Sequence, residues 1–151
     1  MTIESRLAEL GIELPEVSPA LASYVPVMVH GDTAFVSGQL PFLEGELATG
    51  RLGADVDVER GVEIARACGF MILAQLRAAG LLERVGQVVK LGGFVASTPD
   101  FVEQHKVVNG ASDLMFEVFG EKGRHARAAV GVPALPLGAA VEVDAIVALS
   151  D

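Results

Sequence analysis

Val58, Val62, Ala65, Gly69, Ile72, Leu76 and Ala79 recur at steps of four and three residues. That spacing draws one unbroken apolar stripe along a long helix. Glu59, Glu63 and Arg66 fall on its wet side. A helix with one apolar face must lie on something. A stripe of only about three heptads, rich in small residues, suits a sheet better than a coiled-coil partner. Gly69 within the stripe points to close approach to that sheet. The helix starts near Asp57, and Gly80 is placed to stop it.

The flanking sequence supplies the strands. Tyr24–His30 and Thr33–Gly38 surround Gly31-Asp32 and read as a β-hairpin. Pro41 to Gly53 reads as a glycine-rich loop with room for one short edge strand. Gln87 to Ser97 reads as a strand, and Gly92-Gly93 inside it marks a bulge or a close backbone contact. Pro99-Asp100 caps a second helical region running to about Phe119. There Val107, Ala111, Leu114, Met115 and Val118 keep the helical period, and Gly120 and Gly123 end it. Thr2 to Leu10 reads as a short helix capped by Thr2, and Pro15 and Pro19 keep the chain irregular after it. Two strands close the chain. The order ββ-α-β-α-ββ predicts an α+β layer fold with two helices on one sheet face. At 151 residues, with no repeat, linker or low-complexity segment, residues 1–151 are expected to form one domain.

Composition narrows the function classes. Apolar residues make up 51% of the chain, and mean hydropathy is +0.47. No apolar run approaches the roughly 18 residues of a membrane span. Apolar surplus without a span predicts contacts between subunits. The N-terminal MTIESRLAELGIELPE carries acids and no long apolar core, so no signal peptide is read there. Cys68 is the only cysteine, which excludes an intramolecular disulfide, fits a reducing cytoplasm and reads as a small buried hydrophobe. The net charge of −9, the absence of Trp and the lack of a basic cluster argue against nucleic acid. His30, His105 and His125 lie far apart and no Cys/His ligand spacing exists, so no metal is expected.

The chemistry concentrates near the C-terminus. Ala126 to Val132 is small or apolar except for Arg127, and Glu142 lies on the last strand beside Asp144. A guanidinium among apolar neighbours needs a partner. If the two strands pair as an antiparallel hairpin, with Arg127 facing Glu142, the loop is Pro133-Ala134-Leu135-Pro136, a common length. That pairing makes an ordinary cross-strand ion pair. The other reading is a fork that holds a ligand carboxylate, with Glu142 free to handle water or a proton. His125 shares strand parity with Arg127 and reaches toward the same cleft or toward solvent.

Ser37-Gly38-Gln39-Leu40-Pro41 resembles the S-G-Q-[IL]-P signature of the Rid (YjgF, L-PSP) family, and the run from Arg127 to Ile146 resembles its C-terminal signature. Both stand in the family's order around two helices. The N-terminal helix and the segment Asn109–Asp113 look like a divergent branch. The resemblance implies a chorismate-mutase-like α+β fold and a homotrimer with clefts between subunits. It also implies cofactor-free hydrolysis of reactive enamines and imines to 2-oxo acids and ammonia. Carried over by position, Arg127 clamps a substrate carboxylate, Glu142 positions or polarises water, and Tyr24, Ser37 and Gly38 line the pocket. Two positions depart from the family pattern. Ala129 stands where many members carry Cys, and Pro99 stands where they carry Asn. These departures leave open a receptor for small 2-oxo or amino acids. The endoribonuclease role attached to the family name sits poorly with the charge of −9.

Overall fold

A computed structural model describes residues 1–18 and 22–151. Its elements are α1 (Ile3–Glu9), β1 (Val27–His30), β2 (Thr33–Gln39), β3 (Phe42–Leu43), β4 (Glu46–Leu47) and α2 (Val58–Ala78). Then come β5 (Val85–Ala96), α3 (Gln104–Phe119), β6 (Ala126–Val132) and β7 (Val141–Leu149). Five strands form a mixed sheet in the order β1-β2-β7-β5-β6, and β3 and β4 form a separate two-stranded ribbon. The fold is the expected α+β layer fold. Pro19 lies outside the described residues.

Local chemistry sets the element ends. Thr2 and Ser5 close a capping box on α1. Asp57 accepts from the Arg60 N–H and caps α2, and Gly80 follows the end of α2 at φ +74°. The Gly31-Asp32 turn joins β1 to β2 as expected. The second long helix begins at Gln104 rather than at Pro99-Asp100. The segment from Thr98 to Glu103 first turns the chain off the end of β5, where Leu52 N–H and Ala96 C=O are already paired.

α2 and α3 cover one face of the sheet. Along β7, Val141, Val143, Ala145, Val147 and Leu149 point under the helices. Leu91 and Val95 of β5 and Ala34 and Val36 of β2 join them in one core. α1 adds Leu7 to that core and is tied to α3 by the Arg6 Nε–H, which donates to the Glu117 carbonyl at 2.9 Å. Gly69 meets Leu114 and Ala111 of α3, not the sheet, because α2 packs on the sheet and its sister helix at once. A Cβ at Gly93 would stand 2.6 Å from Val108, so the close contact read from Gly92-Gly93 is with α3. The bulges of β5 lie earlier, between Val85 and Gln87 and between Val88 and Lys90.

The C-terminal hairpin is not formed. β6 pairs parallel with β5, with Arg127 opposite Leu91. β7 inserts between β2 and β5, with Glu142 opposite Phe94. The physical reason is the crossover. α3 carries the chain back over the sheet, so the following strand runs parallel to β5 and takes the free edge. β7, apolar at alternate positions, gains two hydrogen-bonded neighbours in the centre.

Candidate functional site

Arg127 lies on β6, level with buried Leu91, and therefore points to the helix side of the sheet. There α3 presents His105, Asn109 and Ser112 at i, i+4 and i+7, on one helix face. Arg127 Nη1 donates to Asn109 Oδ1 at 2.8 Å and to Ser112 Oγ at 3.1 Å. Its Nη2 donates to the His105 carbonyl at 3.2 Å. These are neutral acceptors, and no carboxylate lies within ion-pair distance of Arg127 among the described residues. A guanidinium carries five N–H donors. The Nε–H and one Nη2 hydrogen remain without an acceptor among the described residues.

His125, two residues upstream on the same side, completes a chain. Its Nδ1 is 2.6 Å from the Gly123 carbonyl, and its Nε2 is 2.8 Å from Ser112 Oγ. A carbonyl only accepts, so Nδ1 carries the hydrogen, and in the neutral ring Nε2 accepts from the Ser112 hydroxyl. These groups open on a hollow of about 350 Å³, shared with Asp113, Phe116 and Arg124. Arg124 stacks on Phe116 at 4.4 Å and pairs with Glu121 at 2.9 Å.

Glu142 belongs to a different place. The alternation of β7 puts Glu142 and Asp144 on the helix-free face, two strands away from β6 and on the other side of the sheet from Arg127. Gly38, within the irregularity between Val36 and Gln39 of β2, lies against Glu142, and a Cβ there would come within 2.8 Å of the Glu142 carboxyl carbon. Burial pushes the Glu142 carboxyl above its ordinary range, and the charge of Asp144 adds to the rise. Burial likewise raises Asp144, while a backbone hydrogen bond from Gly92 and the Lys90 charge draw it partly back.

Tyr24 is 61% exposed and borders a larger hollow of about 1080 Å³ with Gly38, Gln39, Phe42 and Phe70. Ser37 Oγ donates to the Val25 carbonyl at 2.7 Å, which holds the approach to β2 in place. Gly38 therefore links the Tyr24 hollow to Glu142. Arg127 stands apart from all four, with His125. Cys68 is fully buried, its thiol against the Val141 carbonyl at 3.5 Å, and burial raises it well above the ordinary thiol range. Among the described residues no three His, Cys, Asp or Glu side chains gather as a metal site.

Reading α3 by its apolar period alone misses Asn109 and Ser112. Their signal was the polar sequence His105, Asn109, Ser112 at steps of four and three, opposite the buried stripe.

The family model described as "YjgF/chorismate_mutase-like, putative endoribonuclease" matches residues 4–149. Protein TCP17 of Trypanosoma cruzi is 51% identical over 152 residues, covering 99% of this chain and 95% of the relative. The crystal structure of Atu1372 from Agrobacterium tumefaciens superposes with a TM-score of 0.90 at 51% identity, covering 99% and 94% of the two chains. E. coli TdcF, whose structure holds bound serine, superposes with a TM-score of 0.63 at 26% identity over 92% and 98% of the chains.

Proposed function

The chain belongs to the YjgF/RidA family, and we propose that it hydrolyses small carboxylate-bearing imines and enamines, of the 2-aminoacrylate type, to 2-oxo acids and ammonia. The observation that carries the reading is Arg127. Its charge is held in place by three neutral acceptors. Among the described residues it is left uncompensated, with two N–H groups free. A ligand carboxylate supplies what is missing, in the fork geometry that guanidinium favours. Serine bound to E. coli TdcF is a ligand of comparable size and charge.

Glu142 takes the water. Its carboxyl is half-buried and burial raises it above its ordinary range, which makes it a stronger hydrogen-bond acceptor for the water it orients. Such substrates already react with water, so holding the carboxylate and orienting one water supplies most of the acceleration. Arg127 and Glu142 lie on opposite sheet faces within one chain. A site that uses both needs a second copy, and the proposed homotrimer provides it: Arg127 from one subunit, Glu142 with Tyr24, Ser37 and Gly38 from its neighbour. The helix-free sheet face that would be covered carries exposed Met28, Phe35 and Val130.

Calorimetry with pyruvate and a decay assay with 2-iminopropionate test the reading together. The wild type is expected to bind pyruvate and speed imine decay. Arg127→Ala is expected to lose nearly all of both. Arg127→Lys is expected to bind poorly, because a point charge does not replace the fork. An Arg127→Lys protein that binds as tightly as wild type overturns the clamp. Binding without hydrolysis of any small imine makes the protein a 2-oxo-acid receptor instead.

A further inference from the structure

The Arg127 hollow contains a second chemical device. Ser112 Oγ accepts from Arg127 Nη1 at 3.1 Å and lies 2.8 Å from His125 Nε2, and His125 Nδ1 is anchored on the Gly123 carbonyl at 2.6 Å. A hydroxyl, an imidazole and a fixed acceptor in series have the geometry of a nucleophile or proton carrier, its base and the group that orients the base. A carboxylate seated on the free Nε–H and Nη2–H donors and the Ser112 hydroxyl on Nη1 would share one guanidinium, and Ser112, His125 and Arg127 line one hollow. We propose that Ser112 and His125 are the proton relay of this site, a role that rests on Arg127 being the carboxylate clamp described above.

The step balances with an iminium substrate. Water adds its oxygen to the iminium carbon, and the carbon–nitrogen π pair moves to nitrogen. As the water oxygen sheds a proton to Ser112 Oγ, the Ser112 proton passes to His125 Nε2, leaving a neutral carbinolamine and a charged His125. The relay then runs backward. Ser112 gives its proton to the amine nitrogen and is refilled from His125. The carbon–nitrogen bond breaks as the hydroxyl oxygen forms the carbonyl, and the last hydroxyl proton leaves on ammonia as ammonium. Glu142 orients the water, and the relay moves the proton. The charged groups that line the hollow with His125 are Arg127 near the start of β6, Arg124 from the preceding turn with Glu121 paired to it, and Asp113 from α3. Neutral His125 is the working form, since only it can accept from Ser112.

Three variants test this: Ser112→Ala, His125→Gln and Ser112→Thr, which keeps the hydroxyl. For the first two, the pyruvate dissociation constant is expected to stay within about threefold of wild type, while 2-iminopropionate hydrolysis falls roughly 10²-fold. Ser112→Thr is expected to regain much of the rate. Wild-type rates in Ser112→Ala and His125→Gln overturn the relay and leave the hydrolase reading standing. Binding and rate that fall together also overturn it, because Ser112 and His125 then only prop Arg127. A wild type that hydrolyses no imine overturns both.

Discussion

Glu142 and Asp144 share one face of β7, and burial raises both carboxyls above their ordinary range. The sign of the consequence comes from linkage. A carboxyl with a raised folded pKa holds its proton more tightly in the folded than in the unfolded chain. Its contribution to stability is complete below the unfolded pKa and is lost as pH rises through the folded one. These two groups therefore destabilise the fold at neutral pH and cease to do so on acidification. As the ion-pair partner of Arg127, Glu142 would stabilise, and Glu142→Gln would weaken folding. The geometry reverses that expectation. Glu142→Gln is expected to raise the thermal midpoint at pH 7, with the gain over wild type shrinking as the pH is lowered through the carboxylate range. Calorimetric scans at several pH values check it, and a midpoint lowered at pH 7 and unchanged in acid would contradict the assignment.

At the scale of elements, the two helices cross through glycine. A Cβ at Gly61 would meet Leu52 at 2.9 Å and Val107 at 3.0 Å, and one at Gly69 would meet Leu114 at 2.7 Å. Gly110 is tighter. A Cβ there would press on the Val62 carbonyl oxygen and approach the Arg66 nitrogen at 3.1 Å, both backbone atoms of α2. Two effects compete in Gly110→Ala. Helix propensity favours alanine by about 1 kcal/mol. Overpacking against backbone that cannot rotate away costs about 1–3 kcal/mol or more. The second wins, so denaturant unfolding is expected to show a net loss of roughly 1–2 kcal/mol; a stabilised variant would mean the helices separate freely. The same elements show what the sequence made legible. The hairpin of β1 and β2, the two long helices and the caps at Thr2, Asp57 and Gly80 are set by local spacing and hold in the structure. The partner of β6 is not set locally. A four-residue hairpin and an edge strand beside β5 satisfy the same local pattern, and only the return of the chain across α3 decides between them. The surroundings of Arg127 were half legible. His125 shares its parity and does meet its neighbour Ser112, whereas Asn109 and Ser112 lie on an element whose apolar period points to its other face.

At the scale of the whole molecule, one chain leaves its catalytic candidates divided. Arg127, Ser112 and His125 sit under α3 at one edge of the sheet, and Glu142 sits on the bare face with Gly38. The proposed assembly is a cyclic trimer of about 47 kDa, three times the 15.7 kDa chain. Light scattering tests its size, and a stable monomer at micromolar concentration would remove the shared cleft. Mixing tests its logic more sharply. Arg127→Ala and Glu142→Gln chains are each expected to be nearly inactive in imine hydrolysis. Refolded together in equal amounts, they form mixed rings. Each site then draws its guanidinium from one copy and its carboxylate from the next, and about one site in four receives both intact groups under random assembly. The mixture is expected to recover roughly a quarter of wild-type activity per site, while the same two proteins refolded separately and combined at low temperature recover little. A site contained in one chain allows no such rescue, because every chain in the mixture lacks one of the two groups. Activity that stays at the level of the single variants, in rings shown by mass to contain both chains, would put Arg127 and Glu142 in separate sites.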